Sequence, residues 1–187
     1  MLTTRDMQVV EFLKTNKAAS TETIAEIMFP SLSACQKRLK VLFVTKNLKR
    51  VRCHLNAQYV YYTKLPSQFR HSLLVTDFYR ELHKKCEIIN YKIEPVLGDI
   101  RPDALVAYKY KGRSYLALLE VEISHKGFDY GKYDRFYSSG VYKSFFPVMP
   151  TIFIVGDNTK NPPVSTQVIY KQISTDFFNI NTIFKSV

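Results

Sequence analysis

The sequence lacks the features that would place a protein in a membrane, outside the cell or in a common enzyme class. No apolar run approaches the about 20 residues that a membrane-spanning helix needs. The opening residues lack the basic-then-apolar pattern of a signal peptide. Its three cysteines, Cys35, Cys53 and Cys86, are odd in number, far apart and form no CxxC pair. They read as reduced thiols of a cytoplasmic protein, not as a disulfide frame or a zinc site. No G-x-S-x-G, phosphate-loop or dinucleotide fingerprint occurs. His54, His71 and His83 show no ligand spacing, and His125 stands alone.

Acid is also scarce. Only 16 Asp and Glu face 27 Lys and Arg, a formal net charge of +11. The deficit is uneven: residues 1–70 hold 12 basic against 4 acidic side chains, and the other 117 hold 15 against 12. A basic first third joined to a nearly balanced remainder predicts a polyanionic partner there; solubility is the plainer explanation. What the chain does have is apolar residues, 46% of 187, enough for one large domain or two small ones.

Residues 1–66 predict three helices and a hairpin. Thr3 or Thr4 caps a helix through RDMQVVEFLKTN, with Met7, Val9, Val10 and Leu13 spaced for one buried face. Ser20-Thr21 opens a shorter helix, ETIAEIMF, which Pro30 stops. Ser33 opens a third, with Gln36 completing a capping-box pattern and Leu39, Leu42 and Phe43 at helical spacing. Two strand-like runs, LKRVRCH and QYVYYTK, flank a turn at Asn56-Ala57. This is the order of a winged helix-turn-helix, whose third helix enters the major groove of double-stranded DNA while the wing meets backbone. Lys37, Arg38 and Lys40 are expected on the groove side, and Lys46, Lys49, Arg50 and Arg52 at phosphates. Tyr59, Tyr61 and Tyr62 are expected to pack the hairpin. Solvated surface charge, or a protein-docking use of the same module, is the competing reading.

Pro66-Ser67-Gln68 marks the expected boundary with a second domain over residues 67–187. A helix over about residues 72–85 carries Leu73, Leu74, Phe78 and Leu82 on one face, with Asp77 and Glu81 a turn apart. Three strands follow over 88–96, 104–110 and 115–123. A helix-like stretch over 130–146 is weakened by Ser138-Ser139-Gly140. The run TIFIV at 151–155 reads as a buried strand, and after Pro162-Pro163 the tail supplies an edge strand or two. The expected fold class is mixed α/β (α+β): a winged helix-turn-helix, then an αβββαβ unit, the core order of a restriction-endonuclease-like fold.

The second and third of these strands, paired across Lys111-Gly112, set Asp103 beside the far end of the later one. Alternate strand residues share a face, so Glu120 and Glu122 point one way and Val121 the other. Carboxylates gathered on one patch repel unless a divalent cation or a lysine neutralises them. Asp103, Glu120 and Glu122, with Lys132 from the following helix, are therefore candidates for a metal-dependent phosphodiester site. Lys126, in the turn SHKG, is nearer in sequence. Plainer roles stand beside these. Asp103 can cap a turn, the glutamates can protect a strand edge, and Lys132 and Arg135 can lie on a solvated helix face with Asp129 or Asp134.

Two nested family resemblances rest on these residues. Pro102-Asp103 and the Glu120-Val121-Glu122 strand end resemble the PD-(D/E)xK phosphodiesterase superfamily. Pro102-Asp103-Ala104, the same strand end, and a basic helix running from Lys132 to Phe136-Tyr137 resemble the plasmid replication-relaxation family, in which a winged helix is joined to such a module. The agreement in domain order covers most of the chain. The resemblance implies that Asp103 and Glu120 hold Mg²⁺ or Mn²⁺, with the Val121 carbonyl as a further ligand and Glu81 as the helical acid. It departs at Glu122, where the superfamily has a lysine, and Lys132 is the expected substitute. The function it implies is a DNA-binding accessory protein of plasmid or mobile-element replication, relaxation or mobilisation, with no membrane partner. The alternatives are an active Mg²⁺-dependent endonuclease or nickase, and a regulator docking a replication or transfer protein. A homodimer on symmetric DNA is compatible with a winged helix.

Overall fold

A computed structural model describes residues 2–52, 58–124, 127–157 and 167–184. The protein is mixed α/β and divides into two compact units, Met1–Arg80 and Glu81–Val187. The division falls inside a helix, whereas the sequence puts its boundary at Pro66.

The first unit contains α1 (Thr4–Asn16), β1 (Ala18–Ser20), α2 (Thr21–Met28), α3 (Leu32–Val44), β2 (Lys49–Arg52) and β3 (Tyr59–Tyr62), followed by most of α4 (Phe69–His83). Its three strands are antiparallel in the order β1-β3-β2. Each of the first three helices begins at a polar cap. The Thr3 hydroxyl accepts from the Asp6 N–H while the Asp6 carboxylate accepts from the Thr3 N–H at 2.6 Å, a reciprocal box. Ser20 caps α2 by accepting from Thr23 N–H. Ser31, not Ser33, caps α3, accepting from Ala34 N–H at 3.2 Å; it follows Pro30 in extended backbone, so its hydroxyl is the first available to the open amides.

Val9, Leu13, Ile24, Leu39 and Leu42 form the core of this unit. Met7 and Phe43, expected inside, lie at the surface. Asp6 takes the buried place on the first turn of α1, and Phe43 stays out to stack on Arg50. The sequence gives no sign of β1, three residues that become a strand through pairing with β3. The Thr76 hydroxyl of α4 donates to the Ala18 carbonyl at 2.9 Å, and Thr23 donates to Asp77 at 2.7 Å. These bonds fix the early part of α4 to the first unit. The expected turn at Asn56-Ala57, with Cys53 and His54, lies outside the described residues.

The second unit is built on a five-stranded sheet in the order β4 (Glu87–Ile93), β5 (Ala104–Tyr110), β6 (Arg113–Val121), β7 (Thr151–Val155), β8 (Tyr170–Ile173). The first three strands are antiparallel, and β6, β7 and β8 run parallel. Lys111 and Gly112, both at positive φ (48° and 79°), make the two-residue turn between β5 and β6. That conformation matches the natural twist of a hairpin. Between β6 and β7 lies α5 (Tyr130–Ser138), which stops just before Gly140 at φ 72°, a left-handed residue suited to ending a helix. A short 3-10 turn, Val141–Ser144, replaces the rest of the expected helix. Tyr133 and Phe136 of α5 pack on Leu118, Ile152 and Ile154 of the sheet. The end of the described chain is a 3-10 turn, Ile180–Phe184, where a strand is expected. Pro162-Pro163, His125 and Lys126 lie outside the described residues. Among the described residues no helix is long and apolar enough to cross a membrane.

Candidate nucleic-acid interface and carboxylate site

In the first unit, α3 buries Cys35, Leu39 and Leu42 and turns Ser33, Gln36, Lys37, Lys40, Val41 and Val44 to solvent. Lys37 and Lys40 thus lie on one exposed face, as the helical period requires. Lys46, in the turn after α3, and Lys49 and Arg52 on β2 are exposed as well. A groove of about 360 Å³ separates α3 from the β2–β3 pair, lined by Leu32, Gln36, Lys40, Arg50, Tyr59 and Tyr61.

Two of the expected arginines are engaged elsewhere. The Arg38 guanidinium grips the buried Asp6 carboxylate with two N–H groups, Nε at 2.5 Å from Oδ1 and Nη2 on Oδ2. Hydrogen bonding to Arg38 holds the Asp6 carboxyl well below the usual carboxylate range, against the opposing effect of burial. Arg38 is therefore a structural partner, joining α3 to the start of α1. Arg50 is sandwiched between two rings, its Cζ 4.1 Å from the Phe43 centroid and 3.9 Å from that of Tyr59. Such stacking is worth about 0.5–2 kcal/mol and locks β2 to the end of α3. Tyr61 is buried as hairpin packing, whereas Tyr59 presents its ring to Arg50.

In the second unit the hairpin register pairs Ala104 with Leu119, so Asp103 stands one residue before that pair, beside Glu120. The Asp103 backbone N–H donates to the Leu119 carbonyl at 2.9 Å, and its side-chain Oδ2 accepts from the Val121 N–H at 2.7 Å. Glu120 shares its strand face with Leu118 and points beneath α5, where its side chain keeps only 15% exposure. Two consecutive residues of α5 meet the same oxygen: Lys132 Nζ donates to Oε1 at 2.6 Å and the Tyr133 hydroxyl at 2.5 Å. Burial pushes the Glu120 carboxyl above its ordinary range; Lys132 and Tyr133 pull it back, and neighbouring Asp103 pushes it up again. The hairpin register, with the Val121 N–H bonded to the Asp103 carboxylate, makes Asp103 and Glu120 cross-strand neighbours. Burial, and then Glu120, drive the Tyr133 phenol strongly upward, so it acts as a donor throughout the ordinary pH range.

The remaining sequence candidates are arranged differently. Glu122 lies just beyond β6, where its carboxylate accepts from the Ser124 N–H at 2.7 Å and caps the turn. Glu81 pairs with Lys84 at 2.9 Å. Arg135 lies 3.7 Å from Asp129, both largely exposed, on a solvated face of α5. Tyr133 is the residue that sequence reasoning missed. Its helical phase, three positions before Phe136, was the available signal.

The carboxylate pair sits at the carboxyl ends of the parallel strands β6 and β7, the edge where open α/β sheets bind ligands. Among the described residues no group of three or more His, Cys, Asp and Glu side chains forms a metal cage. Two carboxylates of hard oxygen donors nevertheless fit Mg²⁺, which is held through one or two carboxylates and completed by water or substrate phosphate. Asp103 and Glu120 are the side chains that would hold it. No protein-family model matches this chain, and no curated protein matches it.

Proposed function

We propose that this chain is a double-stranded-DNA-binding accessory protein of the plasmid replication-relaxation type, a winged helix followed by a nuclease-like module. What carries the reading is the topology of the first unit: helix, short strand, helix, helix and two more strands, with the sheet ordered β1-β3-β2. A winged helix is built in that order, and its third helix is the one that enters the groove. Here α3 exposes Lys37 and Lys40, with Lys46, Lys49 and Arg52 following it. The second unit supports the other half of the reading. With α4, most of which belongs to the first unit, the order α4, β4, β5, β6, α5 and β7 follows the αβββαβ core, and Asp103, Glu120 and Lys132 come together at one sheet edge.

Changing Lys37 and Lys40 to Glu tests the DNA reading in a binding titration on duplex DNA at several salt concentrations. The expected outcome is weaker binding and a log–log salt slope shallower by about 0.9 for each phosphate no longer neutralised. Unchanged affinity and slope would remove α3 from the interface.

A second reading, a Mg²⁺-dependent nickase or endonuclease, is favoured by one observation: the Lys132 ammonium lies 2.6 Å from Glu120 beside Asp103. A bound Mg²⁺ would supply a polarised water and charge stabilisation at the phosphate. Asp103 and Glu120 would orient the metal, and Lys132 would balance charge at the same edge. Incubation with supercoiled plasmid and Mg²⁺ or Mn²⁺ separates the readings. Nicking that disappears in Asp103→Ala favours the enzyme, and intact plasmid favours the accessory role.

A further inference from the structure

We infer that Tyr133 is a positioning residue for the carboxylate pair: with Lys132 it occupies one oxygen of Glu120, so that the other is presented to a divalent cation beside Asp103. The inference rests on the cation reading of that edge and is independent of DNA binding by α3.

The geometry is one-sided. Both donors from α5 reach Oε1 of Glu120, and no described residue donates to Oε2. The Tyr133 ring is fully buried, and it lies nearly parallel to Phe128 with centroids 5.9 Å apart and an interplanar angle of 14°. Phe136, one turn further along α5, fixes the same helix face in the core. A phenol held this firmly cannot follow the carboxylate as it turns. The carboxylate must instead adopt the orientation that the phenol sets. Left alone, the terminal torsion of a glutamate is broad and nearly two-fold, and ordering it at the moment of binding carries an entropic penalty. A hydrogen bond to the ligating carboxylate removes that freedom beforehand, and loss of such an outer partner typically weakens metal affinity about 10–100-fold.

Lys132 and Tyr133 share one acceptor yet act on a cation in opposite ways. The phenol is neutral, so its contribution is orientation. The ammonium adds positive charge beside the place a cation would occupy, and its contribution there is repulsion. Removing the two donors should therefore shift cation affinity in opposite directions, which a merely structural role for Tyr133 would not do.

The test is a calorimetric Mn²⁺ titration of the full chain, checked by the loss of the free-ion resonance signal. Four proteins are compared: wild type, Glu120→Gln, Tyr133→Phe and Lys132→Gln. Thermal unfolding of each reports whether the fold survives. The inference expects saturable Mn²⁺ binding that Glu120→Gln removes, binding weaker by about 10-fold or more in Tyr133→Phe, and tighter binding in Lys132→Gln. Wild-type affinity in a folded Tyr133→Phe protein overturns it. Wild type with no Glu120-dependent Mn²⁺ binding overturns it too, and the DNA titration of the α3 variants then decides the role of the first unit separately. If Tyr133→Phe does not fold, Phe128→Leu takes its place, because it loosens the stack on the ring while keeping the hydroxyl. Weaker Mn²⁺ binding in that variant supports the inference, and unchanged binding overturns it.

Discussion

The two units use charge in opposite ways. Met1–Arg80 carries 13 Lys and Arg against 5 Asp and Glu, and Glu81–Val187 carries 14 against 11. In the first unit the excess stands outside, on the open face of α3 and along β2, while the buried acid Asp6 is matched by Arg38. In the second, the notable charges are drawn under a helix, where Lys132 and Tyr133 share one oxygen of Glu120. Exposed cations act at a distance and are screened by salt. A buried acid acts over a few ångströms and costs stability unless it is paired. The first arrangement suits a long, uniformly charged partner, and the second suits chemistry at one point.

Several measurements would break or sharpen that contrast. The largest expected effect is on the fold of the first unit. Asp6→Ala removes a capping box and the buried partner of Arg38, and should lower stability by about 2–3 kcal/mol in urea unfolding, whereas Lys37→Glu should change it by less than about 0.5 kcal/mol. Equal losses would erase the distinction between interior and exterior charge. The same carboxylate sets a pH dependence. Arg38 holds the folded-state Asp6 group well below its unfolded value of about 3.9. Its contribution is therefore complete above about pH 4 and fades as pH falls towards the depressed folded value. Asp6→Asn should flatten the acid limb of an unfolding curve, and an unchanged limb would assign acid sensitivity elsewhere.

Next in size is Gly98, at φ 64°, where an added Cβ would meet Val141 Cγ1 at 2.8 Å. Gly98→Ala should cost about 1–2 kcal/mol in the second unit, measurable as a lower denaturation midpoint. A neutral result would mean that the loop and the 3-10 turn shift apart easily. The smallest effect concerns thiol reactivity. Burial pushes Cys35 up to about 12 and Cys86 up to about 11, so both should react slowly with iodoacetamide at about pH 8 in the folded protein and quickly in urea. Mass mapping of the labelled peptides checks this, and fast native labelling of Cys35 would contradict the packing of α3.

Sequence reading succeeded where a local signal and the tertiary structure agree. The bounds of β5 and β7 follow from apolar runs flanked by turn residues, and the Lys111-Gly112 turn announces the hairpin. It did less well where the decisive partner is remote. Three short residues, Ala18–Ser20, are a strand because β3 lies alongside. Arg38 resembles its lysine neighbours until its partner, 32 positions earlier, is known. The same limit applies at the carboxylate site. Asp103, Glu120 and Lys132 could be assembled from strand parity and turn position, but Tyr133 is one of 13 tyrosines. Its phase with Phe136 puts it on the buried face of α5, but only the way α5 lies on the sheet brings its hydroxyl to Glu120.

The Lys111-Gly112 turn has a consequence far from where it sits. Seven residue pairs separate it from the acidic edge, from Tyr110 with Arg113 down to Ala104 with Leu119. Because side chains alternate along a strand, one extra residue at the tip would slide one strand past the other and turn an entire row over. Asp103 would then face Leu119 or Val121 in place of Glu120. A bend with no chemistry of its own thus works as a ruler, and the separation of two acids is set at the opposite end of the β5–β6 hairpin.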